Sequence, residues 1–130
     1  MSIVNKGYSR YLNQIPSGNI QQVIMLYKGA IKHMNKVIDC IQNNDVENRF
    51  NVLEKATGIV LGLKEALDHK NAKDIAQALE SYYNHVYIKM MSVHHTPDVK
   101  QCEEILKDLN NMLESWREVE KTIDKDIKKD

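Results

Sequence analysis

The five histidines can be tested for metal chemistry by spacing alone. Helical di-iron proteins place a glutamate three residues before a metal-binding histidine on the same helix. The histidines are His33, His69, His85, His94 and His95. The positions three residues earlier hold Ala30, Ala66, Tyr82, Met91 and Ser92. Since none of these is a carboxylate, the sequence excludes a di-iron centre of this kind.

A second metal hypothesis involves the segment around His94, His95 and Asp98. These side chains share one loop, and a zinc site ordinarily needs four ligands in structural centres or three plus water in catalytic ones. No convincing further ligand stands nearby in the sequence. We therefore predict a solvated turn, with no metal.

The pair His33-x-x-Lys36 resembles the phospho-accepting segment of histidine phosphotransfer domains, which are also small helical bundles. An exposed imidazole with a lysine one turn further on could hold a phosphoryl group electrostatically. However, Val37 stands where that family has a glycine or another small residue. The chain also lacks a glycine-rich phosphate loop, a nucleophile elbow and a Cys-x-x-Cys pair. We predict no enzyme activity, no catalytic residue and no cofactor.

Composition narrows the class of partner. Eighteen basic residues balance eighteen acidic ones in a chain of 130 residues, which suits one domain. Without a net basic field, neither nucleic acid nor a membrane surface is an expected partner. No apolar run approaches the ~20 residues of a membrane span, and the N-terminus lacks the apolar core of a signal peptide. We expect a cytoplasmic protein whose Cys40 and Cys102 are reduced core thiols.

The element that organises the chain is a long amphipathic helix over residues 20–41. Its apolar residues recur at the three-four spacing of one helical face: Ile20, Val23, Ile24, Tyr27, Ala30, Ile31, Met34, Val37, Ile38 and Ile41. Met25, Leu26 and Cys40 widen this face beyond a single stripe. The pattern predicts a central bundle helix with apolar surface left over for a ligand, and mid-helix Gly29 indicates a close approach.

Three further helices follow, separated by short polar turns. The first has the capping-box pair Asn44 and Glu47 at its start and carries Gly58 and Gly62, whose spacing predicts a tight packing groove. The next is rich in tyrosine, which suits either the lip of a groove or an ordinary bundle boundary. The last is predicted to start with Thr96 as the N-cap and Pro97 in its first turn.

The fold prediction is all-α: an antiparallel up-down four-helix bundle with a short N-terminal arm or helix. Residues 1–18 form the arm, ended by the Pro16–Asn19 break, and residues 19–130 form one bundle domain. The arm is too short to hold a helix without docking on the bundle.

The central helix resembles the FliS family of flagellin export chaperones. The segment from Leu26 to Met34, LYKGAIKHM, is similar to that family's Leu-Tyr-x-Gly-Ala-Ile segment. IAQALESYY, from Ile75 to Tyr83, is similar to a second family segment, with Tyr82 at an expected leucine. Gly18-Asn19 stands at the family's Ser-Pro, and Ala72-Lys73-Asp74 at its Gly-Gly.

The resemblance implies a non-catalytic chaperone of flagellum assembly. Such a protein binds the disordered C-terminal segment of flagellin, prevents its premature polymerisation and aids type III export, with components of the export gate as further partners. The residues we predict to contact the bound peptide are Tyr8, Tyr11, Leu26, Tyr27, Ala30, Ile31, Met34, Leu79, Tyr82, Tyr83, Val86 and Tyr87. The alternatives are a generic helical adaptor or homodimeric interaction module and, less favoured, a phosphotransfer domain using His33.

Overall fold

The protein is a bundle of four helices. The computed structural model describes residues 20–71 and 73–128, with side chains up to Thr122. Its helices are α1 (Ile20–Gln42), α2 (Val46–Glu65), α3 (Lys73–His95) and α4 (Val99–Lys128). No strand occurs in these ranges, which confirms the all-α prediction. The predicted arm, with Tyr8 and Tyr11, lies outside the described residues.

The helices pack in a closed ring. α1 packs closely against α2 and α4, α2 also packs against α3, and α3 makes the sparsest backbone contact, with α4. His94 at the end of α3 lies 3.4 Å from Glu54 in the first half of α2, and Gln101 at the start of α4 donates to Ser92 near the end of α3. Such pairs are what antiparallel neighbours would produce.

The turn between α1 and α2 is tighter than the sequence predicts, and different residues cap the two helices. Asn44 takes a left-handed backbone conformation with φ of 56°, and its N–H donates to the carbonyl of Ile41. The N–H of Asp45 reaches back to the carbonyl of Cys40, which completes a Schellman motif at the end of α1. Asp45 then caps α2 by accepting from the N–H of Asn48. The predicted Asn44–Glu47 capping box is therefore wrong, because Asn44 is used to end α1 and Asp45 begins α2.

The start of α4 also differs from the prediction. The helix begins at Val99, and the carboxylate of Asp98 accepts from the N–H of Lys100 at 3.0 Å. Thr96 instead donates its N–H to Ser92, which belongs to the last turn of α3. Thr96 and Pro97 thus lie in the loop, and Asp98 takes the capping role because its side chain reaches the free N–H groups of the first turn.

The core is continuous through the bundle and includes Trp116, Tyr27 and Met34 among its fully buried side chains. Cys40 and Cys102 are buried and free, as predicted. Gly29 lies under α2, with Ile59 Cδ1 only 3.3 Å from where a β-carbon would stand. Gly58 and Gly62 instead border open space, so the packing groove predicted for them is wrong. Within the described ranges, no helix has the length and hydropathy needed to cross a bilayer.

Candidate functional site

Two tyrosines and a tryptophan form the centre of the bundle, which we call the tyrosine core: Tyr27, Tyr83 and Trp116. The hydroxyl of Tyr27 on α1 donates to the hydroxyl of Tyr83 on α3 at 3.1 Å. The ring of Trp116 lies 6.2 Å from that of Tyr27, centroid to centroid, in a tilted arrangement. Burial raises the pKa of Tyr27 to about 12, against the effect of its hydrogen bonds. The cluster therefore stays neutral near pH 7 and joins α1, α3 and α4.

Half of the predicted peptide-binding residues belong to this interior. Their side chains are at most 3% exposed: Tyr27, Ala30, Met34, Leu79, Tyr83 and Val86. In this structure they offer a peptide no surface. Their assignment to the peptide site stays a prediction, and it would require these side chains to leave the core.

Four other predicted residues are accessible, but they do not meet in one pocket. Leu26 is 39% exposed, and Ile31, Tyr82 and Tyr87 are half-buried. Tyr82 belongs to the seam between α3 and α4, where its hydroxyl donates to the carbonyl of Asp108 at 3.4 Å. Burial raises the pKa of Tyr82, helped by the charges of Tyr27 and of the Asp108 carboxylate. Tyr8 and Tyr11 lie outside the described residues.

The most exposed apolar side chains were not among the predicted site residues. Met25 is 70% exposed, Ile88 66%, Val46 61% and Phe50 53%. Met25 and Ile88 lie off the buried stripes of α1 and α3, and an apolar residue out of phase with the three-four pattern is the signal that could have found them. Val46 and Phe50 instead continue the stripe of Leu53, at spacings of seven and three residues, but lie in the first two turns of α2.

Met25 borders a cleft between the start of α1 and the second half of α4, which we call the α1/α4 cleft. Its volume is about 540 Å³. It is lined by Gln21, Ile24, Met25, Lys28, Glu114, Arg117, Glu118, Glu120 and Lys121. Ile24 is almost fully buried while Met25 projects into solvent. An apolar floor with charges of both signs around it suits an amphipathic chain.

Charges at the rim of the α1/α4 cleft are partly paired. Arg117 Nη1 lies 2.8 Å from Glu114 Oε1, one turn earlier on α4. Lys28 and Lys121 line the same cleft from its two helices, and neither belongs to an ion pair among the described side chains. The cleft therefore presents these two lysines together with the carboxylates of Glu118 and Glu120, which also line it.

The histidines that the sequence analysis considered for metal or phosphoryl chemistry have ordinary surroundings in the structure. Among the described residues, no three histidine, cysteine or carboxylate side chains gather as metal ligands. His33 is partly buried, and its pKa is lowered by that burial and by Lys55, Lys32 and Lys36. His94 contacts the ring of Phe50 at 5.0 Å and the carboxylate of Glu54, so it serves the packing of α3 on α2.

Several known proteins with similar sequences are named flagellar secretion chaperones. The flagellar secretion chaperone FliS of Campylobacter jejuni is 28% identical over 118 residues, which cover 88% of this chain and 91% of that protein. The protein of the same name from Escherichia coli is 25% identical over 99 residues, 75% of this chain and 73% of its own length. The flagellar secretion chaperone FliSB of Pseudomonas aeruginosa is 21% identical over 104 residues, 79% of this chain and 82% of that protein.

A family model for the same group of proteins matches most of the chain. Residues 7–123 match the model described as flagellar protein FliS. This range includes the four described helices except for the last turns of α4. The match extends well beyond the Leu26–Met34 segment that first indicated the resemblance. The chain belongs to the FliS family.

Proposed function

We propose that this protein is a cytoplasmic flagellar secretion chaperone that binds the disordered C-terminal segment of flagellin and holds it unpolymerised for type III export. The activity is binding without catalysis. Family membership and the printed names of the relatives support a role in flagellar secretion. The family resemblance supports flagellin as the substrate, and the apolar surface described below would suit a segment of that kind.

The observation that carries the proposal is the position of Met25. A methionine 70% exposed beside the nearly buried Ile24 leaves apolar surface open to water in the α1/α4 cleft. Methionine is flexible and polarisable, so it adapts to varied apolar partners. An amphipathic helix laid in such a groove is a common mode of peptide recognition.

The other exposed apolar residues support a ligand that covers more than one seam. Phe50 contacts His94 at the α2/α3 seam, and Ile88 is exposed earlier on α3. These positions lie on different helices from Met25 and do not form a single pocket with it. A disordered segment that folds on binding can cover such a dispersed surface at modest affinity per unit area.

The charge at the cleft suggests how the ligand is oriented. Lys28 and Lys121 flank the apolar floor from opposite helices. An amphipathic segment that buries its apolar face on Ile24 and Met25 would place acidic groups of its polar face within reach of these two lysines. Exposed pairs of this kind add specificity more than affinity.

The direct test is the variant Met25→Asp, assayed by calorimetric titration with a C-terminal flagellin peptide. A carboxylate at the centre of the cleft should weaken binding about tenfold, because the ligand would have to desolvate it. The matched control is Gln22→Asp, which adds the same charge at an exposed position of α1 that does not line the cleft. Equal affinities for the two variants, with unchanged helical circular dichroism, would remove the cleft from the binding surface.

The N-terminal arm, residues 1–18, has a separate proposed role as a cover for the flagellin groove in the free protein. An apolar groove open to water is an aggregation liability, and self-occlusion would lower the apparent affinity by the fraction of time that the groove is covered. Deleting residues 2–15 should then leave flagellin-peptide affinity equal or tighter and increase self-association. Weaker binding by a truncated protein that remains folded would show that the arm is part of the site rather than its cover.

A further inference from the structure

The outer surface shared by α1 and α2 carries an unbalanced positive charge. α1 holds three lysines and His33 but a single acidic residue, Asp39. Lys32 and Lys36 are exposed and spaced by four residues, so they lie about 6 Å apart along the helix. Lys55 of α2 and Lys36 line the same cleft between the two helices. We call the group Lys32, His33, Lys36 and Lys55 the basic face.

These groups lie close together and their charge is not neutralised. Lys55, Lys32 and Lys36 all lower the pKa of His33 through their charge, in addition to its partial burial. Among the ion pairs of the described side chains, none involves the three lysines. Four cationic or protonatable groups thus share one surface in a chain whose formal net charge is zero.

The acidic residues of α2 are directed elsewhere. Glu54 lies 3.4 Å from His94, on the side of α2 that meets α3. Glu47 and Glu65 are seven and eleven residues from Glu54, spacings that return to nearly the same side of a helix. The side of α2 next to the basic face instead carries Asn48 and Asn51.

A polar cleft extends the basic face toward the α1–α2 turn. Its volume is about 460 Å³, and Lys36, Asp39, Cys40, Asn43, Asp45, Asn48, Asn51, Val52 and Lys55 line it. Asp45 already accepts from the N–H and the side-chain amide of Asn48. Asp39 remains as a negative group at this end. The positive groups therefore lie away from the α1–α2 turn, where Asp39 bounds them.

Beside Lys55, the surface of α2 is nearly flat because two of its residues are glycines without side chains. Gly58 and Gly62 are exposed, and a β-carbon at either would meet nothing within 4 Å. Their spacings from Lys55, three and seven residues, put all three on the outward side of α2. The backbone of another helix could come close here, next to the lysines.

We propose that the basic face is a second docking surface, which binds an acidic helix of a partner protein beside Gly58 and Gly62. Charge complementarity selects the occupant: carboxylates one helical turn apart match Lys32 and Lys36, and a third reaches Lys55. A short row of lysines bounded by Asp39, in a chain of zero net charge, fits a local acidic helix better than a long polyanion, which needs an extended positive field. None of the four residues of the basic face lines the α1/α4 cleft, whose Lys28 lies one turn before Lys32, so the chaperone could hold flagellin and this partner on adjoining surfaces.

The test uses a stapled alanine-based helix with glutamates at four-residue spacing, titrated into the full chain and followed by amide NMR shifts. The shifts should map to residues 32–36 and 55–62 and weaken as salt is raised, because exposed charge pairs are screened. Lys32→Glu/Lys36→Glu should reduce affinity about tenfold, since two attractions become repulsions. The matched control, Lys100→Glu/Lys107→Glu, makes the same charge change at exposed positions of α4 and should bind as the unaltered chain does.

Two further peptides distinguish a specific binding site from non-specific electrostatic attraction. A glutamine version should not bind, and a scrambled version with the same number of glutamates should bind several-fold more weakly. Equal binding of the scrambled peptide, equal effects of the two double variants, or shifts that map to another surface would each overturn the proposal. So would self-association that Lys32→Glu/Lys36→Glu abolishes, because the occupant would then be a second copy. Flagellin-peptide affinity of Lys32→Glu/Lys36→Glu should be unchanged, and a parallel loss would show that this is not a separate surface.

Discussion

The tyrosine core and the α1/α4 cleft are built from the same helix, yet their apolar side chains have opposite surroundings. Tyr27 is fully buried and donates a hydrogen bond across the bundle to Tyr83. Met25, two residues earlier, is 70% exposed at the cleft. Two residues correspond to 200° around a helix, so Met25 and Tyr27 lie on nearly opposite sides of α1, and the buried Ile24 forms the boundary between the core and the cleft. A single amphipathic segment thus supplies both the stability of the bundle and a candidate binding surface.

The difference shows where substitutions separate folding from binding. A change in the tyrosine core alters the free energy of unfolding first, and any effect on a ligand follows from that. A change at an exposed apolar position leaves the core contacts intact. Stability and binding should therefore be lost at different residues, and the contrast can be tested by one matched pair on α3.

The largest expected effect is at Tyr83. Tyr83→Asp would place a carboxylate in a site only 2% exposed and remove the partner of the Tyr27 hydroxyl. We expect a loss of about 4 kcal/mol in the free energy of unfolding, enough to unfold much of a marginally stable domain. Urea titration followed by circular dichroism measures this loss.

The control on the same helix is Ile88→Asp, which adds the same charge at a side chain 66% exposed. Its stability should change by about 0.5 kcal/mol or less. If Tyr83→Asp were as stable as Ile88→Asp, the Tyr83 side chain would have to be accessible, and the distinction between core and surface drawn here would be wrong.

A smaller effect is expected from the ionisation of Tyr27. Burial raises its pKa from 10.0 to about 12 in the folded chain, so between these values the unfolded chain has lost a proton that the folded chain retains. Stability from this group is complete below pH 10 and falls as pH rises toward 12, by about 1.4 kcal/mol per pH unit. Tyr27→Phe should remove this part of the slope.

The measurement is a set of urea titrations from pH 9 upward for both proteins. Burial also raises the pKa of Cys102 to about 11, but this group titrates in both proteins and cancels in the difference. The pKa of Tyr82 is raised by burial and by the charge of Tyr27, so Tyr27→Phe also reduces that shift, and this change lowers the slope in the same direction. Identical slopes for the parent and Tyr27→Phe would mean that the Tyr27 hydroxyl is not desolvated in the folded state.

The sequence was sufficient for the helices but not for the direction in which each apolar stripe faces. Three-four spacing identified the four helices and the buried positions Tyr27, Met34 and Trp116. It could not distinguish residues that face the core from those that border a cleft, because both continue the same apolar stripe. The tyrosines of α3 illustrate this: Tyr83 is buried, whereas adjacent Tyr82 is half-buried and bonded to Asp108.

The cap assignments failed for a local reason. Asn44, Asp45, Thr96 and Asp98 all have side chains that can cap a helix, and composition alone does not choose among them. The choice depends on which residue takes the left-handed conformation that ends the preceding helix, and that residue is Asn44 in the first turn. Similarly, the spacing of Gly58 and Gly62 could not reveal that no neighbouring helix covers them.

The smallest predicted effect is a difference in the free energy of unfolding between two glycine substitutions. One glycine, Gly29, is packed between α1 and α2, and the other, Gly58, faces open space. Gly58→Ala should stabilise the protein by about 1 kcal/mol, because alanine favours the helix and its β-carbon enters open space. Gly29→Ala has the same helical advantage, but its β-carbon would lie 3.3 Å from Ile59 Cδ1, so the gain should be reduced or lost. Ile59→Val removes that methyl group, and a double-mutant cycle should show Gly29→Ala becoming more favourable in its presence. No coupling between the two positions, or equal gains at Gly29 and Gly58, would show that α2 does not press on α1 at this point.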